Sequence, residues 1–345
     1  MTHFISGWDI GGAHLKVARC DRQGNIINVV QVACPLWHGI EQLELAITKV
    51  FKQLDNQHDI TAITMTGELV DIFPDRQAGV AGILHCLVNA IDVDKLQVYA
   101  GDLGWLKPEQ AITQWQSIAS RNWQASADIA AHYCSEGLFV DIGSTTCDII
   151  PLFNSQAQPQ AFDDLARQTK RELLYTGAIR TPLIALSQTA PFNGELVSLA
   201  AEVFATTGDV WCLLDQLDAD SIQDNSADNQ AWQDTDCARR LARLLGTDSV
   251  HSDLAQWRQL AQWFAEQQVH LICNALLQVN SAHQTISDNT PIIAAGVGRF
   301  IAKQCARRLH RPYVDINDLL VSTNGNVADN LPAVAVALLA QQDLP

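Results

Sequence analysis

At 345 residues the chain is too long for one comfortable hydrophobic core and calls for two domains of ordinary size. A hydrophobic fraction of 48% beside 17% charged residues describes a soluble globular protein, and a net charge of −16 sets its surface against the phosphate backbone of nucleic acid. No apolar run approaches the roughly 20 residues that a membrane-spanning helix needs, so neither nucleic acid nor membrane is an expected partner. The opening Met1-Thr2-His3-Phe4-Ile5 enters a strand directly and leaves no room for a signal peptide. Nine cysteines are scattered singly, without a C-x-x-C pair, which reads as buried, reduced thiols in a cytoplasmic protein. A homo-oligomer is left open.

In chain order, residues 4–9 and 15–20 are predicted strands around a glycine turn. Asp21-Arg22-Gln23-Gly24-Asn25 is a hairpin signal leading to a third strand over 26–32. Ile40, Leu43, Ala46, Ile47, Val50, Phe51 and Leu54 recur at helical spacing. A β-branched strand over 60–65, a helix over 80–90 and a short strand over 96–100 follow. That order resembles a ribonuclease-H-like lobe. Residues 138–142 and 147–152 then repeat the opening pair of strands, and an insertion over about 162–251 interrupts the repeat. Within it, residues 218–236 are acidic and rich in Asn, Gln and Ser, which reads as an exposed, solubilising loop. A strand over 291–295 ends in Ala295-Gly296-Val297-Gly298 and leads into a helix. Residues 313–316 form the last strand and 332–339 an apolar final helix. The expected division is 1–134, 135–327 with its insertion, and a C-terminal helix over 328–345 that packs back on the first lobe.

The same turn occurs twice. Gly7-Trp8-Asp9-Ile10-Gly11-Gly12-Ala13-His14-Leu15-Lys16 and Val140-Asp141-Ile142-Gly143-Ser144-Thr145-Thr146-Cys147-Asp148 each run an apolar strand into Asp-Ile-Gly, small residues and a second apolar strand. Glycines and small hydroxyl residues let backbone N–H groups approach an anion, and a strand-end aspartate can hold a cation beside it. Two such loops facing across a cleft would grip a metal–phosphate group from both sides.

Two phosphate-type turns followed by a Gly-Val-Gly turn resemble the actin, sugar-kinase and Hsp70 superfamily. The resemblance implies an α/β fold of two ribonuclease-H-like lobes around a central cleft, with the third turn closing over a nucleotide's adenosine. Met65-Thr66-Gly67-Glu68-Leu69-Val70-Asp71 with Arg76 and Gly79-Val80 looks like the hydantoinase/oxoprolinase-like branch. So do Glu172-Leu173-Leu174-Tyr175-Thr176-Gly177-Ala178-Ile179-Arg180-Thr181-Pro182 and Glu202-Val203-Phe204-Ala205-Thr206-Thr207-Gly208-Asp209-Val210. Together these segments are similar to a small group linked to tetrahydromethanopterin-dependent one-carbon transfer, whose archaeal members are the methanofuran-biosynthesis synthase. The resemblance implies a transferase that joins the phenol of γ-glutamyltyramine to an aminomethylfuran-methyl diphosphate and releases diphosphate. Its partners would be small-molecule diphosphate and phenolic amine substrates.

On that resemblance Asp9 and Asp141 are expected to hold Mg²⁺, an ion that prefers oxygen ligands and keeps several waters. Gly11, Gly12, Gly143, Ser144, Thr145 and Thr146 would donate to phosphate. Lys16 sits where relatives carry a phosphate-reaching lysine, although an exposed strand lysine is equally expected there. His14 reads as a loop residue satisfied by the backbone. Thr66, Gly67, Glu68 and Asp71 follow a central strand, where open α/β sheets place ligand groups, and Glu68 is the candidate general base or a partner that orients the metal's ligands. Its alternative is a helix N-terminal acid favoured by the macrodipole. Arg76 and Arg180 suit a phosphate or carboxylate, or a structural salt bridge. Asn122-Trp123 would offer an aromatic cleft wall, or simply packing at a domain junction. Thr207 and Asp209 read as a substrate-contacting loop, and Gly296 and Gly298 as either a base-approach site or a tight strand-to-helix turn. The rival activities are an ATP-dependent small-molecule kinase, ATP-dependent hydantoin or oxoproline ring opening, and a nucleotide-gated scaffold or reactivating ATPase.

Overall fold

The computed structural model describes residues 4–283, 287, 289–322 and 326–344, so Met1, Thr2 and His3, used above to argue against a signal peptide, lie outside the described residues. The chain divides into two units, one made of Met1–Glu136, Leu152–Asp164 and Asp315–Pro345, the other of Gly137–Pro151 and Leu165–Val314.

In the first unit β1 (Ile5–Ile10), β2 (His14–Cys20) and β3 (Ile26–Ala33) form an antiparallel meander. Asp21 closes the β2–β3 turn by accepting from the backbone N–H groups of Gln23 and Asn25, each at 2.9 Å. The helix α1 (Glu41–Leu54) follows. It leads to β4 (Ile60–Met65), which lies parallel to β1 with Asp9 opposite Thr64. Next come α2 (Arg76–Ala90), β5 (Leu96–Tyr99) parallel to β4, β6 (Trp105–Leu106), α3 (Pro108–Thr113) and α4 (Asn122–Tyr133). The resulting order, β3-β2-β1-β4-β5-β6, is the ribonuclease-H-like arrangement read from the sequence. On one face the apolar stripe of α1 (Leu43, Ala46, Ile47, Val50 and Leu54) packs in one core with Trp8, Ile10, Leu15 and Val17 of the hairpin.

The second unit repeats this logic. It contains β7 (Gly137–Ile142), most of β8 (Cys147–Phe153), α5 (Asp164–Lys170) and β10 (Leu173–Leu174), while the far end of β8 pairs with the two-residue β9 (Gln156–Ala157) in the Leu152–Asp164 stretch of the first unit. A separate hairpin, β11 (Thr189–Phe192) and β12 (Glu195–Ser198), is followed by α6 (Thr207–Leu213), α7 (Asp234–Leu244) and the 28-residue α8 (Leu254–Ser281). The chain returns through β13 (Ile292–Ala295), α9 (Arg299–Arg308) and β14 (Tyr313–Asp315). The sheet order is β10-β8-β7-β13-β14, with β13 parallel to β7 and Ala295 opposite Asp141. Trp257, Leu260, Phe264 and Ile272 of α8 anchor its core.

The last helix, α10 (Leu331–Asp343), belongs to the first unit. Its residues 331–338 are buried all round, as an apolar helix with no polar face must be. It lies directly on β1: a Cβ built on Gly7 would stand 2.0 Å from the Ala333 carbonyl oxygen and 2.5 Å from the Ala337 nitrogen.

The acidic stretch 218–236 is largely exposed, as expected, but ion pairs and one buried ring tie it to the second unit. Asp228 pairs with Arg239 (3.2 Å), Arg240 (2.8 Å) and Arg243 (3.1 Å), and Trp232 is buried. Asp228 and Asp236 are partners for arginines of α7, a relation that composition alone does not reveal.

Candidate functional site in the first unit and its counterpart loop

Strand β1 ends in a buried acid. Asp9 is only 5% exposed and its Oδ1 has no hydrogen-bond partner among the described residues. Burial raises its pKa, while the Lys16 charge and a hydrogen bond with the Asn122 side chain pull it back down. Lys16, opposite Asp9 in the hairpin register, donates from Nζ to the Asp329 carbonyl at 3.0 Å. The intervening turn is closed by Gly11 N–H donating to the His14 carbonyl at 3.0 Å. Gly12 is pressed against the next loop, where a Cβ would meet Val70 Cγ1 at 2.8 Å.

Parallel strand β4 ends beside β1. Thr66 N–H donates to the Ile10 carbonyl at 3.0 Å, tying the two strand ends together. Gly67 is buried, and Glu68 is 1% exposed. Glu68 Oε1 accepts from Ser120 Oγ at 3.0 Å, and Oε2 has no partner among the described residues. Burial pushes the Glu68 carboxyl up to about 7, against the opposing pull of the Ser120 hydrogen bond and the Arg76 charge. Helix α2 presses on this residue through Gly79, where a Cβ would lie 2.4 Å from the Glu68 carbonyl oxygen. Two desolvated carboxylates, each with an uncommitted oxygen, thus mark the carboxyl ends of neighbouring parallel strands, the place where open α/β sheets bind ligands.

Around them, Arg76 is paired with Asp164 at 2.7 Å, and Asp71 is exposed. Trp123 is 3% exposed and packs in the interior, so it forms no cleft wall. The accessible aromatic ring is its neighbour Phe162, with the Arg121 guanidinium 4.9 Å above it.

In the second unit Asp141 is half-buried near the end of β7. Gly143 N–H donates to the Thr146 carbonyl at 2.9 Å, and the Ser144 carbonyl accepts from Ile179 and Arg180 N–H at 3.1 and 2.8 Å. The hydroxyls of Ser144, Thr145 and Thr146 make no side-chain hydrogen bond among the described residues, and the exposed Arg180 makes no ion pair among them. This loop retains free donors for an anion. Gly296 adopts φ +80°, and a Cβ there would stand 2.5 Å from Asp141 Oδ1. Gly298 N–H donates to the Ile142 carbonyl at 2.8 Å. The third glycine turn is therefore fastened to the end of β7, which by itself accounts for both glycines.

Thr207 and Asp209 are buried rather than poised on a loop. Thr207 Oγ1 donates to the Gly177 carbonyl at 2.9 Å. Asp209 accepts from Thr206 N–H at 2.9 Å and from Arg240 Nε at 2.6 Å, with both members of the ion pair at 0% exposure. Eight of the nine cysteines are buried, and desolvation pushes the Cys20 and Cys34 thiols up to about 12. Ser120, which holds Glu68, had no signal in the sequence, and Asn122 stood out only as the neighbour of Trp123.

The sequence profile of the family described as hydantoinase/oxoprolinase matches residues 59–342. A relative from Methanocaldococcus jannaschii, (4-{4-[2-(gamma-L-glutamylamino)ethyl]phenoxymethyl}furan-2-yl)methanamine synthase, is 30% identical over 251 residues, 72% of this chain and 73% of that protein. The synthase of the same name from Methanococcus vannielii is 26% identical over 208 residues, 60% of this chain and 91% of that protein. Among solved structures, component A of the (R)-2-hydroxyglutaryl-CoA dehydratase of Acidaminococcus fermentans aligns with a TM-score of 0.47 at 10% identity, covering 99% of this chain and 98% of that one.

Proposed function

This chain belongs to the hydantoinase/oxoprolinase family, and from that premise we propose that it is an aryl-ether-forming transferase of methanofuran or methylofuran assembly. It joins the phenol of a tyramine–glutamate to an aminomethylfuran-methyl diphosphate. The bond from the furan-methyl carbon to the diphosphate oxygen breaks, and its electron pair leaves with diphosphate. The phenol oxygen forms the new carbon–oxygen bond, and its proton passes to a base. The furan oxygen donates electrons toward the methylene carbon, so the barrier falls chiefly as the departing diphosphate is stabilised.

The observation that carries this reading is Glu68. A carboxyl held near 7, with one oxygen free, suits a proton acceptor working at neutral pH. The orphaned, buried Oδ1 of Asp9 is the donor type that Mg²⁺ takes, and Asp141 is the equivalent strand-end carboxylate in the second unit. Bound at Asp9, the ion would neutralise charge on the diphosphate. The open hydroxyls of Ser144, Thr145 and Thr146, together with Arg180, are the proposed phosphate donors of the second unit. We place the reaction in the cytoplasm, with no ATP consumed.

The test supplies purified protein with Mg²⁺, a tyramine–glutamate and a furan-methyl diphosphate, with and without ATP. Diphosphate and ether should appear in equal amounts without ATP. ADP formation instead would establish the kinase reading. Asp9→Asn should abolish diphosphate release, and Glu68→Gln should slow it by roughly 10²- to 10⁴-fold.

A further inference from the structure

Immediately before α4 the chain makes a turn that costs it strain. Ser120 sits at φ +54°, a left-handed conformation that is strained for a serine and that a glycine adopts freely. The residue is 7% exposed, and its hydroxyl reaches 52 positions back in the chain to Glu68 Oε1 at 3.0 Å. Two residues later Asn122 hydrogen-bonds Asp9. One three-residue segment therefore touches both buried carboxylates. Strain kept at a functional site is retained when the geometry it enforces is needed.

We propose that Ser120 is a positioning residue, whose hydroxyl occupies Oε1 of Glu68 and leaves Oε2 as the one oxygen open to a proton. The inference rests on Glu68 being the base of the proposed reaction. The charge acting on Glu68 from the neighbouring helix is that of Arg76, which is itself held by Asp164. A hydrogen bond donated to a carboxylate favours its ionised form, so losing it raises the pKa.

Ser120→Gly separates a positioning role from a structural one. Glycine suits the left-handed backbone, so the thermal midpoint should stay level or rise. The kcat should nevertheless fall roughly 10- to 100-fold with KM little changed, as expected when a reacting group loses its orientation. In a ¹³C titration of the Glu68 carboxyl, done without substrate, the midpoint should move upward from the wild-type value. Ser120→Asn, whose amide tolerates this conformation and can still donate, should recover part of the rate. A Ser120→Gly protein with wild-type kcat and an unmoved Glu68 titration would overturn the proposal. If the wild-type protein forms no aryl ether, the functional reading fails, and the titration still decides what Ser120 does.

Discussion

Glu68 couples stability to pH in the direction opposite to an ordinary salt-bridged acid. Its carboxyl is raised from an ordinary 4.5 to about 7, so the folded state holds the proton more tightly than the unfolded chain. The stabilisation is present below pH 4.5, falls away as pH rises through about 7, and is gone above that, a loss on the order of 3 kcal/mol. Glu68→Gln should therefore unfold at higher urea than wild type at pH 8, with the difference vanishing near pH 4. An equal midpoint at pH 8 would contradict the burial described here. The Asp209–Arg240 ion pair is a second buried charge, sensitive to the loss of its partner. Both side chains are fully buried, so Arg240→Met strands an acid in the core and should cost about 3 to 5 kcal/mol. Asp209→Asn combined with Arg240→Met should regain much of that, measured by urea unfolding. Asp9 stood out because a strand-end acid followed by small residues is a local pattern, and Glu68 because it lies just after a central strand. Asp209 was misplaced because a polar cluster in sequence does not announce its burial, and Ser120 was silent because its partner lies 52 residues away.

Among the elements, the α10–β1 contact depends on the missing side chain of Gly7. A methyl group there would overlap the Ala333 carbonyl, so Gly7→Ala must push the helix off the strand. Overpacking of this kind costs typically 1 to 3 kcal/mol, and the variant should show a lower thermal midpoint and faster amide exchange in α10. The elements that the sequence revealed are those with strong, simple patterns, such as the β-branched run of β4 and the stripe of α1. Helix α8 carries an equally regular stripe, Trp257, Leu260, Ala261, Phe264, Ala265, Gln268, Val269 and Ile272, but a buried glutamine interrupts it. Gln268 is there to accept from Trp211 Nε1 at 2.8 Å and to donate to the Gly177 carbonyl at 2.8 Å. The β11–β12 hairpin was also unread, because Pro191 obscures its strand pattern.

For the whole molecule, the excess of 38 acidic over 22 basic side chains is a source of self-repulsion. Raising NaCl from about 0.01 M to 0.15 M shortens the screening length from about 30 Å to 8 Å. The thermal midpoint at pH 8 should rise over that range, and a fall would mean that the surface ion pairs outweigh the repulsion. The global fold was legible because the strand order of each unit follows from a repeated strand–turn–strand opening and a later parallel strand. The hidden part was the wiring inside the second unit, where buried ion pairs join segments that look like surface loops.

The contact of α10 with β1 also bears on how the chain matures. During synthesis the first strand leaves the ribosome more than 300 residues ahead of the helix that covers it. Everything from Gly137 to Val314 has been made by then, so the second unit has its whole sequence while the first still lacks a wall. The nascent amino-terminal sheet must wait with an apolar face uncovered, and it is there that a chaperone would be needed most.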